Sequence, residues 1–102
     1  MQKLWRSLFG KQAAHRQEIV LMYFGRPSEQ LQMTSERLPI AEQGCTLEQV
    51  LQQLRSRGER WAYELHDHHV ICSVHGQAVQ PSFLLAAGDE VGIFSSKPWL
   101  AA

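Results

Sequence analysis

The residues best suited to chemistry form a histidine-rich stretch in the second half of the chain. His66, His68 and His69 precede Cys72 and His75, so the stretch contains the side chains that zinc and the later transition metals prefer as ligands. Their spacing matches no standard structural zinc pattern, and adjacent residues at the start of a strand point to opposite faces. We therefore expect a solvated histidine-rich loop without a physiological metal, in which His66 and His68 are the weak candidate ligands.

The two cysteines indicate a reducing compartment. Cys45 and Cys72 lack Cys-x-x-Cys spacing and are too few for a disulfide framework, so we expect an intracellular, cytoplasmic protein. Cys45 comes just before a predicted helix, whose dipole would lower the pKa of a thiol at that end. The alternative, which we favour, is that Cys45 is a small half-buried residue at a strand-to-helix corner.

The composition and the missing motifs exclude several classes of function. Ten basic residues balance ten acidic ones, which disfavours a protein that coats nucleic acid. No apolar run approaches the roughly 18 residues that span a bilayer, and the first residues lack a signal peptide, so we expect neither membrane insertion nor export. The sequence has no phosphate loop, no Gly-x-Gly-x-x-Gly and no Gly-x-Ser-x-Gly, so we expect neither a cofactor nor catalytic activity of its own.

The first 17 residues differ in charge from the rest of the chain. They carry four basic residues and no acidic one, whereas the remaining residues have a formal charge of −4. Apolar residues recur there with the spacing of a short amphipathic helix that Gly10 would end: Leu4, Trp5, Leu8 and Phe9. One interpretation is a docking helix that binds a partner protein or an anionic membrane surface. The second interpretation is that the segment is a frayed extension or a helix folded onto its own domain. We favour the second interpretation.

The globular part of the chain is predicted to begin at Glu18 with two strands. Residues 19–24 are rich in β-branched and aromatic side chains, which indicates a central strand buried on both faces that ends at residues 25–28. A weaker strand follows over about residues 32–40, and Pro39 limits it to an edge or an end of a sheet. The short connection would allow the two strands to form a hairpin.

The clearest local signal is that of an amphipathic helix. Thr46 with Gln49 three residues later predicts a capping box, and Gly58 supplies a C-terminal stop. Apolar residues with helical spacing predict one buried face: Leu47, Val50, Leu51 and Leu54. Large apolar side chains alternate with other residues from Trp61 and Tyr63 onward, so the sequence does not decide between a helical turn and a strand there.

The second half of the chain is predicted to add further strands. These strands cover residues 70–74, 77–79 and 90–94. His75 and Gly76 have the turn chemistry that joins the first two, and a loop through residues 83–85 leads to the last one. One helix between two groups of strands predicts an α+β fold in which the helix covers one face of a sheet.

Four segments occur in an order and at spacings typical of one known family. They are Tyr23-Phe24-Gly25-Arg26, Gly44-Cys45-Thr46-Leu47, Cys72-Ser73-Val74-His75-Gly76-Gln77-Ala78-Val79 and Leu85-Ala86-Ala87-Gly88-Asp89-Glu90-Val91. Together they resemble the MoaD/ThiS sulfur carriers, and the MoaD branch, the small subunit of molybdopterin synthase, fits best. The resemblance implies a ubiquitin-like β-grasp domain over residues 18–97, with a mixed sheet of four to five strands. A basic amphipathic extension (residues 1–17) precedes the domain and a tail (residues 98–102) follows it.

The resemblance also implies a function for the tail. In the family, a tail ending in Gly-Gly enters the active site of a larger protein, where a ubiquitin-activating-like enzyme adenylates its carboxylate. The thiocarboxylate that forms then donates sulfur to a molybdopterin or thiazole precursor. Ala101 and Ala102 stand where the family has its glycines, so the resemblance makes them the candidate sulfur-acceptor terminus. The partner would be a synthase large subunit or a ubiquitin-activating-like enzyme.

The departure from Gly-Gly leaves a second function open. The sequence contains no Gly-Gly pair, and Trp99 and Leu100 are bulky where the family tail is slim. The alternative is a binding or regulatory module without sulfur chemistry, in which these two residues anchor the tail in a partner groove or fold back onto the sheet. In either function we expect the partner-binding residues on the sheet and the tail: Arg26, Phe94, Lys97, Trp99 and Leu100.

Overall fold

The structure, a computed structural model, describes residues 17–96, which form seven strands and three helices. The strands are β1 (Glu18–Tyr23), β2 (Ser35–Pro39), β3 (Cys45–Thr46), β4 (Val70–Val74), β5 (Gln77–Val79), β6 (Leu84–Leu85) and β7 (Glu90–Ser95). The helices are α1 (Arg26–Leu31), α2 (Leu47–Arg55) and α3 (Glu59–Glu64). The docking helix predicted near the N-terminus lies outside the described residues, and the predicted domain boundaries stay predictions.

Five strands form one mixed sheet in the order β2-β1-β7-β4-β5. β1 and β7 are parallel, and the other neighbours are antiparallel. Along β1, Ile19, Leu21 and Tyr23 are buried, while Val20 and Met22 on the other side are only half-buried. The prediction that this strand is buried on both faces is therefore wrong, because one face of the sheet carries the core and the other is open.

The helix α2 supplies the other side of the core, as predicted. Its four apolar residues join the buried cluster formed by the core face of the sheet. Both capping-box hydrogen bonds are present, since the Gln49 N–H donates to Thr46 Oγ1 at 3.2 Å and the Thr46 N–H donates to Gln49 Oε1 at 2.8 Å. The helix ends at Arg55 and not at Gly58, which instead precedes α3. Trp61 and Tyr63 are therefore helical, and the α+β architecture is confirmed.

β1 and β2 pair antiparallel, as predicted, but their connection contains a six-residue helix, α1, in place of the short loop expected. Pro27 lies in its first turn, where a missing N–H costs no helical hydrogen bond, and Pro27 and Leu31 are buried. So short a helix is not stable by itself, so tertiary contacts that the local sequence does not report must stabilise it. The strand β2 consequently starts later than predicted, and it is an edge strand with Pro39 at its end. None of the helices within residues 17–96 is long and apolar enough to cross a membrane.

A second, two-stranded sheet occupies the place of the loop predicted through residues 83–85. Cys45 pairs with Leu85 and Thr46 with Leu84, and Leu85 is fully buried. Gly44 precedes this ladder with φ of +89°, and a Cβ there would lie 2.6 Å from the Leu85 carbonyl oxygen. The small sheet thus joins the start of α2 to the segment that leads into β7.

We expect Gly44→Ala to destabilise the protein more than Gly76→Ala. Both glycines have positive φ, +89° and +83°, so alanine costs roughly 1–2 kcal/mol of backbone strain at either position. Only Gly44 adds a collision with a backbone oxygen, because nothing lies within 4 Å of a Cβ at Gly76. In urea denaturation, the free energy of unfolding should fall by at least about 1 kcal/mol more for Gly44→Ala. Equal losses would show that the small sheet accommodates the methyl group without cost.

Candidate partner-binding site

The C-terminal ends of β1 and β7 lie side by side because the two strands are parallel. The Phe24 N–H donates to the Ile93 carbonyl oxygen at 3.0 Å, which extends the pairing past the end of β1. Ser96, the last described residue, is held by the loop before β4: its N–H donates to the His69 carbonyl at 3.0 Å and its hydroxyl to the His68 carbonyl at 2.9 Å. The last described residue is therefore held at this end of the sheet.

An apolar patch lies on the open face at the same end of the sheet. The rings of Phe24 and Phe94 stack with centroids 4.6 Å apart and planes 9° apart, yet the two residues are 39% and 38% exposed. Ile71, which pairs with Phe94 across β4 and β7, is 49% exposed. We call Phe24, Ile71 and Phe94 the open-face patch. Contiguous exposed apolar side chains of this kind mark contact surfaces, unlike single scattered ones.

Gly92 makes the position of the Phe94 ring possible. A Cβ at Gly92 would lie 2.8 Å from the Phe94 ring and 2.7 Å from the Ser73 hydroxyl, so any larger residue would displace the ring. A shallow groove of about 210 Å³ adjoins the two phenylalanines, with Met22 and His75 among its lining residues. The ring of Phe94 is thus held by the backbone beneath it and by Phe24 beside it.

Arg26 forms a two-point ion pair with Glu64. Its Nε and Nη2 donate to the two carboxylate oxygens, each at 3.1 Å. The Glu64 side chain is 4% exposed and that of Arg26 31%, so the pair joins α1 to α3 and only its carboxylate is fully buried. A contact between Arg26 and a partner stays a prediction. The predicted site residues of the tail lie outside the described residues: Lys97, Trp99, Leu100, Ala101 and Ala102.

The histidine-rich loop packs against itself and holds Ser96, the last described residue. The rings of His66 and His68 stack with centroids 5.2 Å apart, and those of His66 and His69 are 5.3 Å apart. His66 Nδ1 accepts from the His68 N–H at 3.1 Å, and His69 Nδ1 donates to the Tyr63 carbonyl at 2.7 Å. Within residues 17–96, no three His, Cys, Asp or Glu side chains are arranged to hold a metal ion.

Burial raises the pKa of both thiols. It is the cause of the raised pKa of Cys45, and it raises the pKa of Cys72 to about 12 although the charge of Arg55 acts in the opposite direction. A pKa of Cys45 lowered by the helix dipole is therefore contradicted. The residue is half-buried at the strand-to-helix corner, as the alternative interpretation predicts, and neither thiol is activated as a nucleophile near neutral pH.

Sequence reasoning identifies Phe94 but misses Phe24 and Ile71 as members of the open-face patch. Phe24 and Phe94 each follow a buried core residue, Tyr23 and Ile93, so strand alternation alone places both rings on the open face. The stacking of the two rings depends on β1 and β7 being neighbours. The sequence of neither strand shows that the two rings stack, because the stacking follows from the order of the strands in the sheet.

Comparison with models of known protein families establishes the family of this chain. The model of the ThiS family matches residues 21–96, which is most of the chain. The chain belongs to the ThiS family. No curated protein sequence matches this ThiS-family chain significantly.

Solved structures agree with the ThiS-family fold. A protein assigned as molybdopterin converting factor subunit 1 in Pyrococcus furiosus superimposes with a TM-score of 0.66 at 23% identity, covering 76% of this chain and 95% of that one. SAMP1 from Haloferax volcanii superimposes with a TM-score of 0.64 at 20% identity, covering 79% of this chain and 97% of that one. These similarities confirm the predicted ubiquitin-like β-grasp fold.

The Arg26–Glu64 pair should be a main support of this ThiS-family fold. Arg26→Ala leaves a buried carboxylate without its partner, so we expect the free energy of unfolding to fall by about 2–4 kcal/mol. Arg37→Ala is the control, because Arg37 is 74% exposed in its pair with Glu18 and such pairs contribute about 0–1 kcal/mol. Urea denaturation of both variants gives the comparison. Two similarly small losses would mean that water reaches Glu64 freely.

Proposed function

We propose that this ThiS-family protein is a carrier that works inside a larger cytoplasmic partner, which covers the open-face patch and receives the C-terminal tail in its active site. The partner is a ubiquitin-activating-like enzyme or a synthase large subunit, and this chain supplies the tail but no catalytic residue. The observation that carries the proposal is the exposed, stacked pair of Phe24 and Phe94 at the end of the sheet where the tail begins.

The open-face patch has the composition of an interface centre. Aromatic side chains bury a large apolar area, and a few such residues dominate the affinity of most interfaces. Ile71 widens the patch onto β4, so a partner can bury three adjoining apolar side chains. Affinity should therefore come from apolar contact, and charged side chains around the patch should contribute little.

The position of Ser96 supports tail presentation to the same partner. The two histidine carbonyls fix Ser96 beside the open-face patch, so a partner seated there also contacts the start of the tail. Residues 97–102 span at most roughly 22 Å when extended. An active site that takes Ala101 and Ala102 therefore lies within that distance of Ser96.

The proposed chemistry is the one that the family resemblance implies. The terminal carboxylate attacks the α-phosphate of ATP and becomes an acyl adenylate as pyrophosphate leaves. Hydrosulfide then attacks the acyl carbon, the bond to AMP breaks, and a thiocarboxylate and free AMP result. Small residues let the backbone approach the nucleotide closely, and alanine has the smallest side chain after glycine.

The bulk of Trp99 and Leu100 favours a second candidate function. In this alternative the protein is a β-grasp binding or regulatory module, and the two side chains fill a partner groove without any sulfur transfer. Both functions use the open-face patch, so only the chemistry of the terminus separates them.

Intact-mass spectrometry separates the two functions. After incubation with ATP, a sulfide source and the activating enzyme of the same host, sulfur transfer replaces one oxygen by sulfur, so we expect a gain of about 16 Da. The same incubation without ATP should not give this gain, which distinguishes it from oxidation of a methionine. A Gly-Gly-tailed carrier in the same reaction is the positive control. An unchanged mass beside a modified control would reject sulfur transfer and leave the binding module.

Partner affinity tests the open-face patch. Phe94→Asp places a charge in the proposed interface, so we expect the Kd for the activating enzyme to rise at least about tenfold, which is 1.4 kcal/mol. Phe83→Asp is the matched control, because Phe83 and Phe94 are both 38% exposed and Phe83 lies outside the patch. Calorimetry of the two variants measures the difference.

The tail is tested in the same titration. Trp99→Ala should also weaken binding at least about tenfold if the side chain anchors the tail. A change within about twofold would remove Trp99 from the interface. Equal affinities of Phe94→Asp and Phe83→Asp would contradict the open-face patch as the docking surface.

A further inference from the structure

We propose that the N-terminal segment binds its own domain, with Leu4, Trp5, Leu8 and Phe9 in a groove between β2 and α2. This β2–α2 groove has a volume of about 390 Å³, and its lining includes Ile40, Ala41, Gly44, Cys45, Val50 and Gln53. It lies away from the open-face patch. The proposal is independent of any partner or sulfur chemistry.

The groove is lined both by apolar side chains and by three glutamines, Gln43, Gln49 and Gln53, and no part of residues 17–96 fills it. Ile40 and Cys45 are half-buried and pack against the core from the groove side. Leu84 extends this surface, because its Cδ1 lies 3.8 Å from the position of a Cβ on Gly44. At 62% exposure, Leu84 is the most exposed of the large apolar residues in the described part of the chain. An amphipathic segment with large apolar side chains matches such a surface.

The chain enters the domain at the rim of this groove. The Ile40 N–H donates to the Gln17 carbonyl at 3.0 Å, and Gln17 Nε2 donates to the Ala41 carbonyl at 3.5 Å. The seven residues 10–16 that link the apolar stripe to Gln17 have a root-mean-square length of about 15 Å. Phe24 lies at the other end of β1, roughly 20 Å from Gln17. The segment therefore has a higher effective concentration at the β2–α2 groove than at the open-face patch.

Charge complementarity favours the same occupant. The segment carries Lys3, Arg6, Lys11 and Arg16 without an acid, whereas residues 17–96 contain five arginines and ten acidic residues. No basic side chain lines the groove, and Glu42 lies between two residues that do. The segment and the groove therefore attract each other at low salt, and the attraction weakens as salt rises.

Amide NMR spectra of the full-length chain test the proposal. Leu8→Asp puts a charge on the apolar stripe, so we expect shifted amide signals at Ile40, Ala41, Gly44 and Val50. Ser7→Asp is the matched control, since it adds the same charge on the other side of the helical pattern and should shift only its sequence neighbours. Leu8→Asp should also raise the rate of Cys45 alkylation at least about threefold, while buried Cys72 keeps its rate.

Each other outcome contradicts the proposal. Shifts confined to residues 1–17 would mean that the segment does not bind the domain, and shifts at Phe24, Ile71 and Phe94 would mean that it covers the open-face patch. Shifts that disappear on tenfold dilution would assign the groove to a second copy of the chain. Glu42→Lys should shift the same amide signals as Leu8→Asp, whereas Glu59→Lys on α3 should not. Equal shifts in the two charge-reversal variants would show that the charge of Glu42 does not help to bind the segment.

Discussion

The parallel pairing of β1 with β7 is the constraint on which the rest of the structure depends. Parallel strands cannot be joined by a tight turn, so the chain between them forms one long crossover. All three helices lie in that crossover, and the core forms where α2 covers the sheet. The pairing joins Val20 to Glu90, which are 70 positions apart in the chain, so closing it costs more loop entropy than a local contact does. It also brings Phe24 to Phe94 and places the C-terminal end of β7 beside that of β1.

Polar contacts between distant segments hold the helices in place. Arg57 donates to both carboxylate oxygens of Glu36, at 2.8 and 3.0 Å, and lies 4.6 Å over the Trp61 ring. The Tyr23 hydroxyl donates to Glu36 at 2.7 Å, and burial, followed by this bond, raises the pKa of Tyr23. Burial alone would raise the pKa of Glu36, but hydrogen bonds from Arg57 and Tyr23 outweigh it and lower the pKa. One charged cluster thus joins the first two strands to the segment between α2 and α3.

The features that could be predicted from the sequence are those with local causes. The capping box at Thr46, the Gly76 turn and the alternation of β7 each depend on residues a few positions apart. The helix α1 could not be predicted, because Glu64, which holds Arg26, is 38 positions away in the chain. The ladder of β3 with β6 is too short to produce a periodic pattern. Within the site, alternation was enough to place Phe24 and Phe94 on the open face, whereas the stacking of their two rings required the strand order.

The glycine beneath Phe94 has a consequence for the binding kinetics of the proposed contact at the open-face patch. Because Gly92 and Phe24 hold the ring before any partner arrives, binding does not have to restrict that side chain, and little conformational entropy is lost on contact. A small patch that is ordered in advance can bind without a slow rearrangement, and its limited area lets the complex separate again. A surface of this kind fits the function proposed above, in which one enzyme charges the tail and another takes the sulfur from it.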